Sequence, residues 1–509
     1  VVAVNDAGVI TASAAGRATV TASAGSARGT LDVTVVPGRV SRVTVTAAQP
    51  RARTGDVVRF KAEARDAQGR VIEGLTPQWL FTPGKGEVDA EGAFVAYEPG
   101  TYTVKADLGS ASGDATISVA DRDVRRKATV VGSVVRTQFP TAEVWVHPNG
   151  RVAYLGTHLG GDRFYAIDIS DPSKPVIVDS LVDNFRIVND IMTTEDGKYI
   201  VYTREGADNR VNGIGIASAE DPLHPKKIAD FSQGVTSGVH SAFVYTQPRH
   251  GTHVYLTNDA TGALHIVDIN DPRQPKEVAT WRTPRKFGDA GRQLHDVDVQ
   301  DGLLYGSWWN DGLIILDVGN GVKGGSPSNP QLVAQYKYNL DKLYKDVELE
   351  GGKGFIRGTH TAWRHKNYVF IADEVFGNDQ IASLMQGKAA RAYGRLQVID
   401  VSDMNNPRSV AWYEPEYGGV HNVWVTGDTL YMGAYNAGFR AFDISGELRG
   451  DLRAQGREMA HVNPAHEKGF VPNVAMTWGV VVKNNLAFVN DFNSGLWIVR
   501  LEPKTQVIP

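Results

Sequence analysis

Residues 1–37 alternate small apolar and polar side chains, as in ATVTASAGSARGTLDVTVV (18–36), and carry Gly and Asn-Asp turns between the runs. A period of two with such turns predicts short antiparallel strands. Residues 38–121 repeat the style in VSRVTVTAAQ, DVVRFKAEARDAQG and GTYTVKADLGSASGDATISVA, enough for a β-sandwich of its own. The polar stretch 122–128 reads as a linker. From 129 to 505 aromatic residues become dense and a longer period appears. One strand-plus-turn signature recurs as FYAIDISDPSKP (164–175), LHIVDINDPRQP (264–275) and LQVIDVSDMNNP (396–407). Weaker copies are GIGIASAEDPLHP (213–225), LIILDV (313–318), FRAFDISG (439–446) and LWIVRL (496–501), which makes seven copies in all. Asp-Pro fixes φ and supplies a side-chain acceptor for the turn. Two further strands fit between copies and one after each proline. The expected fold is therefore all-β: a seven-bladed β-propeller with four-stranded blades, preceded by sandwich modules.

The segment VNDAGVITASAAGRATVTAS resembles the C-terminal half of a bacterial Ig-like domain, so residues 1–37 are expected to be part of one and 38–121 a second Ig-like domain. The strand VIDVSDxxxP resembles the LVIVD repeat of bacterial and archaeal surface proteins, over roughly 140–502. That resemblance implies a propeller and an extracellular setting, and little about activity.

Composition adds mainly exclusions. The 509 residues carry a formal net charge of −4, so no basic footprint points to nucleic acid. There is no cysteine, which removes disulfides, thiolate ligands and cysteine nucleophiles. No apolar run is long enough to span a bilayer. The abrupt first residues read as the middle of a module, so the natural precursor is expected to extend upstream.

Candidate chemistry emerges when the repeats are aligned on the Gly before each signature strand. Gly438 lies seventeen residues after His421, Gly312 seventeen after His295, and Gly495 seventeen after Trp478. The same slot holds His240, His360, Asn189 and, in the first repeat, Ala142. Four consecutive repeats thus place a histidine where the innermost strand opens at one mouth of the channel. The returning strand ends beside it with Asp259, Asp311, Asp373, Glu374, Asn436 and Asp491. Imidazoles bind copper, iron or zinc, and such ligands pass their second N–H to carboxylates or carbonyls. His240, His295, His360 and His421 are therefore candidate metal ligands, the acidic and amide residues their supports, and Trp478 and the pair Trp308 and Trp309 candidate stacking surfaces for a flat ligand. Equally, a histidine opening an inner strand can serve only to tie neighbouring blades together. The paired His250 and His253 are expected in an exposed loop. Inserts at 319–358 and 377–394 are long for propeller loops, and the second is expected to overhang the histidine mouth.

Two functions follow. The first is a secreted or cell-surface propeller, displayed on Ig-like modules, that grips a protein, polymer or second subunit at its face. The second is a secreted metal-dependent oxidoreductase using copper or iron at the histidine cluster.

Overall fold

The computed structural model describes residues 1–504 apart from 26, 37, 110, 136, 284–292 and 346–352. Part of the insert expected at 319–358 therefore lies outside the described residues. The chain divides into two compact units. The first comprises Val1–Asp123 together with Gly446–Gly456, and the second Val124–Ser445 with Arg457–Pro509.

In the first unit, Gly16–Ala24 pairs with Ala27–Val35 in a two-stranded ribbon. Beyond it lie two four-stranded sheets, one built on Arg42–Ala47 and Val57–Arg65, the other on Gly100–Asp107 and Ser112–Ala120. Alternation along these strands sends Phe60, Phe94, Tyr102, Val104 and Ile117 into one core. The stretch expected as a linker, 122–128, contains the division between the two units and opens on a buried residue. The Arg122 side chain is fully buried, with its guanidinium on Thr54 O (3.0 Å) and Asp56 (2.9 Å). The grouping of Gly446–Gly456 with this unit had no sequence signal; there Arg59 pairs with Glu447 at 2.8 Å, and Arg449 pairs with Asp89.

Among the described residues, the second unit contains seven antiparallel sheets. Four are simple up-and-down meanders of consecutive strands; the fifth meander, from Lys353–His365 to Arg408–Tyr413, belongs to a five-stranded sheet, and the sixth passes over residues 444–457 between Phe439–Asp443 and Glu458–Val462. The last combines Thr477–Lys483, Leu486–Asp491 and Gly495–Leu501 with the first strand of the unit, Ala128–Val134. Each signature segment is the third strand of its sheet, and in three of them an Asp-Pro turn leads into the fourth. Asp171, Asp221 and Asp271 each accept the backbone N–H two residues on, at 3.0–3.3 Å. The opening strands are neighbours in chain order: Thr141–Val146, Ile191–Thr193, Ala242–Gln247, Asp296–Gln300, Lys353–His365, Val423–Thr426 and Thr477–Lys483, the last returning to the first. This cycle of radial sheets is the arrangement of a β-propeller. Buried clusters lie between successive sheets, as where Tyr154 and Phe164 pack on Tyr202 and Phe185.

The aligned glycines have a steric reason. Gly312, Gly438 and Gly495 all hold positive φ (76°, 74° and 93°), and a Cβ at each would lie 2.1–2.4 Å from a carbonyl of the fourth strand. Only glycine fits where the third strand starts against the fourth.

Candidate functional site

The opening strands bring the aligned residues together as the spacing predicts. Ring centroids run from His240 to His295 (4.7 Å), His295 to His360 (4.1 Å) and His360 to His421 (4.0 Å), and His421 stacks on Trp478 at 5.1 Å and 15°. The four imidazoles form one continuous row across consecutive sheets.

The returning strands place a second layer against this row. It consists of His158, Glu205, Asp259, Trp309, Glu374, Tyr435 and Phe492. Trp309 lies 4.6 Å from the His295 ring and Tyr435 5.0 Å from the His421 ring, both edge-on. Both hold left-handed backbone, φ 31° and 46°. Such a conformation costs on the order of 1 kcal/mol or more and collects at functional positions. Of this layer the sequence singles out Asp259 and Glu374 as supports and Trp309, beside Trp308, as a stacking surface.

The four histidines are not equivalent. His240 Nδ1 lies 2.8 Å from Glu205 Oε1. Burial works against its protonation, but the Glu205 carboxylate outweighs that, with Asp259 and Asp190 adding to it, and raises its pKa to about 10. His240 is also outside the one group of ligand atoms that lies within 4.8 Å among the described residues. Burial depresses His295, His360 and His421 well below the ordinary imidazole value, and neighbouring imidazoles add to the effect. These three are neutral. His295, His360 and Glu374 each offer a ligand atom, and these atoms lie within 4.8 Å of one another.

The supports of that trio suit a metal. His295 Nδ1 meets His360 O at 3.2 Å, which leaves Nε2 as its lone-pair nitrogen. The Tyr435 hydroxyl donates to Glu374 Oε1, leaving Oε2 3.7 Å from His360 Nε2. His360 Nδ1 is buried without a hydrogen-bond partner. Burial holds the Glu374 pKa up at about 7. His421 stands at the end of the row, its Nδ1 3.7 Å from Glu143 Oε1, and neither atom has a hydrogen-bond partner.

The other expected supports are engaged elsewhere. Asp311 pairs with Lys337 at 3.1 Å. Asp373 accepts from Tyr338, Tyr344 and Gln397. Asn436 bonds the backbone of Ala390, Ala392 and Ala475. Asp491 is held by Met476 N, Thr477, Asn493 and Ser494. Trp308 is fully buried against Trp281 (5.2 Å) and presents no free stacking face, whereas its neighbour Trp309 stands beside His295. His253 is buried within the strand Gly251–Leu256 instead of an exposed loop. The second insert does reach the row: it forms the helix Asn378–Met385 and sends Ala390 and Ala392 into a cluster with Trp478, Tyr435 and Phe492.

One residue beyond the row, the opening strands turn Glu143, Asp190, Ser241, Asp296, Thr361, Asn422 and Gly479 inward. Two residues further come Trp145, Met192, Phe243, Asp298, Trp363, Trp424 and Val481. Members of both layers line a cavity of about 110 Å³. Its ionisable lining residues are all acidic: Glu143, Asp190, Asp296 and Asp298. Burial raises all four, Glu143 well above the ordinary carboxylate value, Asp190 and Asp298 to about 7 and Asp296 to about 6; mutual repulsion adds to the first three named. These positions follow the histidine slot directly in the sequence, and the sequence reading passed over them.

Comparison with known proteins places repeats but no activity. The family model described as LVIVD repeat matches residues 159–183, 291–337 and 475–500. The chain thus carries LVIVD repeats in a β-propeller repeat fold. No curated protein matches it. Among solved structures, the computationally designed Ika8 protein aligns at 8% identity and a TM-score of 0.44, covering 73% of this chain and 99% of its own. The Cps50 (Swd1) β-propeller domain of Myceliophteria thermophila aligns at 9% identity and a TM-score of 0.48, covering 74% of this chain and 100% of its own.

Proposed function

We propose that this chain is a seven-bladed β-propeller that holds a transition-metal ion through His295, His360 and Glu374 and acts as a metal-dependent oxidoreductase. The observation that carries the reading is the convergence of two neutral imidazoles and a carboxylate within 4.8 Å. Two histidines and one carboxylate are the donor set of non-haem iron sites, and three protein ligands leave positions open for a substrate. The metal, when bound, would supply the redox chemistry. The chain's own residues would then orient it: Tyr435 holds the carboxylate, the His360 carbonyl fixes His295, and Trp309 walls the mouth.

The test is metal analysis of protein purified without an affinity tag. We expect about one iron or copper per chain, reduced at least tenfold in both Glu374→Gln and His360→Ala, with unchanged circular dichroism; zinc in its place would support the metal site but overturn the redox role, since zinc has no redox chemistry. Metal-free protein with the native fold, after growth with all three metals supplied, would overturn the reading.

A second reading is favoured by the two four-stranded sheets of the first unit. Taken as an Ig-like sandwich, they suit a secreted or cell-surface protein whose propeller is displayed to bind an extracellular protein or polymer. Cell fractionation separates the two: surface retention without bound metal supports display alone.

A further inference from the structure

The axial cavity joins two unlike surfaces. Its charged lining is acidic, from Glu143, Asp190, Asp296 and Asp298, with no lysine, arginine or histidine among its lining residues. The rest of its character comes from Trp145, Trp363, Trp424 and Phe243, all partly exposed. The Trp424 ring lies 6.2 Å from Trp145 and 4.8 Å from Trp363, so three indoles form one wall. The Trp145 N–H is spent on Thr193 (3.0 Å) and that of Trp424 on Thr426 (3.1 Å). What these two offer the cavity is π surface, not donors. On the acidic side, Glu143 is only 8% exposed and its Oε1 has no hydrogen-bond partner. Gly479 makes room for it, since a Cβ there would lie 2.1 Å from Glu143 Oε2.

We infer that this cavity binds an organic cation, an amine or quaternary ammonium group whose charge faces Glu143, Asp190 and Asp296 and whose alkyl groups lie on the indoles of Trp145, Trp363 and Trp424. A neutral apolar ligand would leave the confined carboxyl oxygens, Glu143 Oε1 among them, without a partner. A bare divalent ion needs oxygen ligands around most of its surface, and here half the wall is carbon. An alkylammonium matches both halves, because tryptophan faces attract cations through the ring quadrupole while their area buries methyl groups. The inference does not depend on a metal at the imidazole row.

The test is calorimetric titration of the full chain with choline and with its neutral isostere 3,3-dimethylbutan-1-ol, before and after dialysis against a chelator. Choline should bind saturably in both preparations, at least about tenfold more tightly than the alcohol. Asp296→Asn and Trp424→Ala should each weaken choline roughly tenfold without altering binding-independent circular dichroism. Trp424→Phe keeps a ring and guards against misfolding: it should weaken choline less than the alanine. Quenching of tryptophan fluorescence by choline gives a second readout. Equal affinity for choline and the alcohol, no choline binding by folded protein, or calcium binding that excludes choline would each overturn the inference.

Discussion

At the scale of single residues, burial and the charges packed beside it, not sequence neighbours, decide the chemistry of each histidine. His158 shows this most cleanly because it stands beside the row and outside the proposed ligand trio. Its ring packs edge-on against Trp478 and Phe492, at 5.4 Å from each, and its Nδ1 lacks a partner. Burial lowers its pKa from 6.5 to about 4; the charge of Glu205 opposes that shift and His240 adds to it. A depressed folded-state pKa means the unfolded chain binds the proton more tightly. The stability tied to neutral His158 is thus complete above pH 6.5 and is lost as pH falls toward 4. Replacing His158 with phenylalanine removes the titration and keeps the ring packing. Urea unfolding of wild type and variant should diverge across that window by on the order of 3 kcal/mol, with the variant gaining at low pH. Parallel stability curves from pH 7 to 4 would show that the imidazole is hydrated in the folded state.

At the scale of elements, the third strand and its glycine set the register that brings the row together. Gly438 and Gly427 both lie in the sixth sheet with positive φ, 74° and 58°. A Cβ at Gly438 would sit 2.4 Å from Val462 O, whereas at Gly427 nothing lies within 4 Å. Gly427→Ala should cost only the left-handed penalty, about 1 kcal/mol. Gly438→Ala should cost at least about 2 kcal/mol more, because backbone must move as well. Thermal melts of the two variants compare them directly, and equal losses would refute the steric account. The same glycine explains how much could be read without coordinates. Counting back seventeen residues from it reached His295, His421 and Trp478 correctly, since a hairpin of fixed length joins the two positions. The returning strands gave no such anchor. A strand alternates faces, so an error of one residue selects the opposite side. Asp373 belongs to the Tyr338 and Tyr344 network while Glu374 faces His360. Glu205 and Tyr435 were missed for that reason: unlike residue types share one position, and only the paired backbone reveals it. The acidic channel layer escaped because its residues differ from sheet to sheet.

At the scale of the whole molecule, closure of the cycle rests on one strand. Ala128–Val134 is distant in sequence from its partner Gly495–Leu501, and it completes the last sheet as the edge strand beside it. Every opening strand, and so the imidazole row and the axial cavity, is held in place by neighbours on both sides. A cycle that opens at this seam frees His421 and Trp478 from the first sheet, where Thr141 and Glu143 meet them through Phe492, Asp491 and His421. Local opening should therefore begin there and limit both stability and ligand retention. The absence of cysteine from the chain allows a direct test. Ala128 and Leu501 are Cα partners, and the adjacent Glu502 N–H donates to Lys127 O at 2.8 Å. Ala128 and Leu501 are consequently the non-hydrogen-bonded pair, in which Cα atoms approach to about 4.5 Å, within the range a disulfide spans. The double variant Ala128→Cys, Leu501→Cys should form a crosslink that stabilises the oxidised protein by on the order of 2–4 kcal/mol. Melting with and without reductant measures this against the same sequence. A raised midpoint that reductant abolishes, accompanied by slower loss of metal to a chelator, is the expected result. A crosslink that forms without changing either quantity would mean that the cycle opens elsewhere first, and would move attention to the junctions flanking the longer inserts.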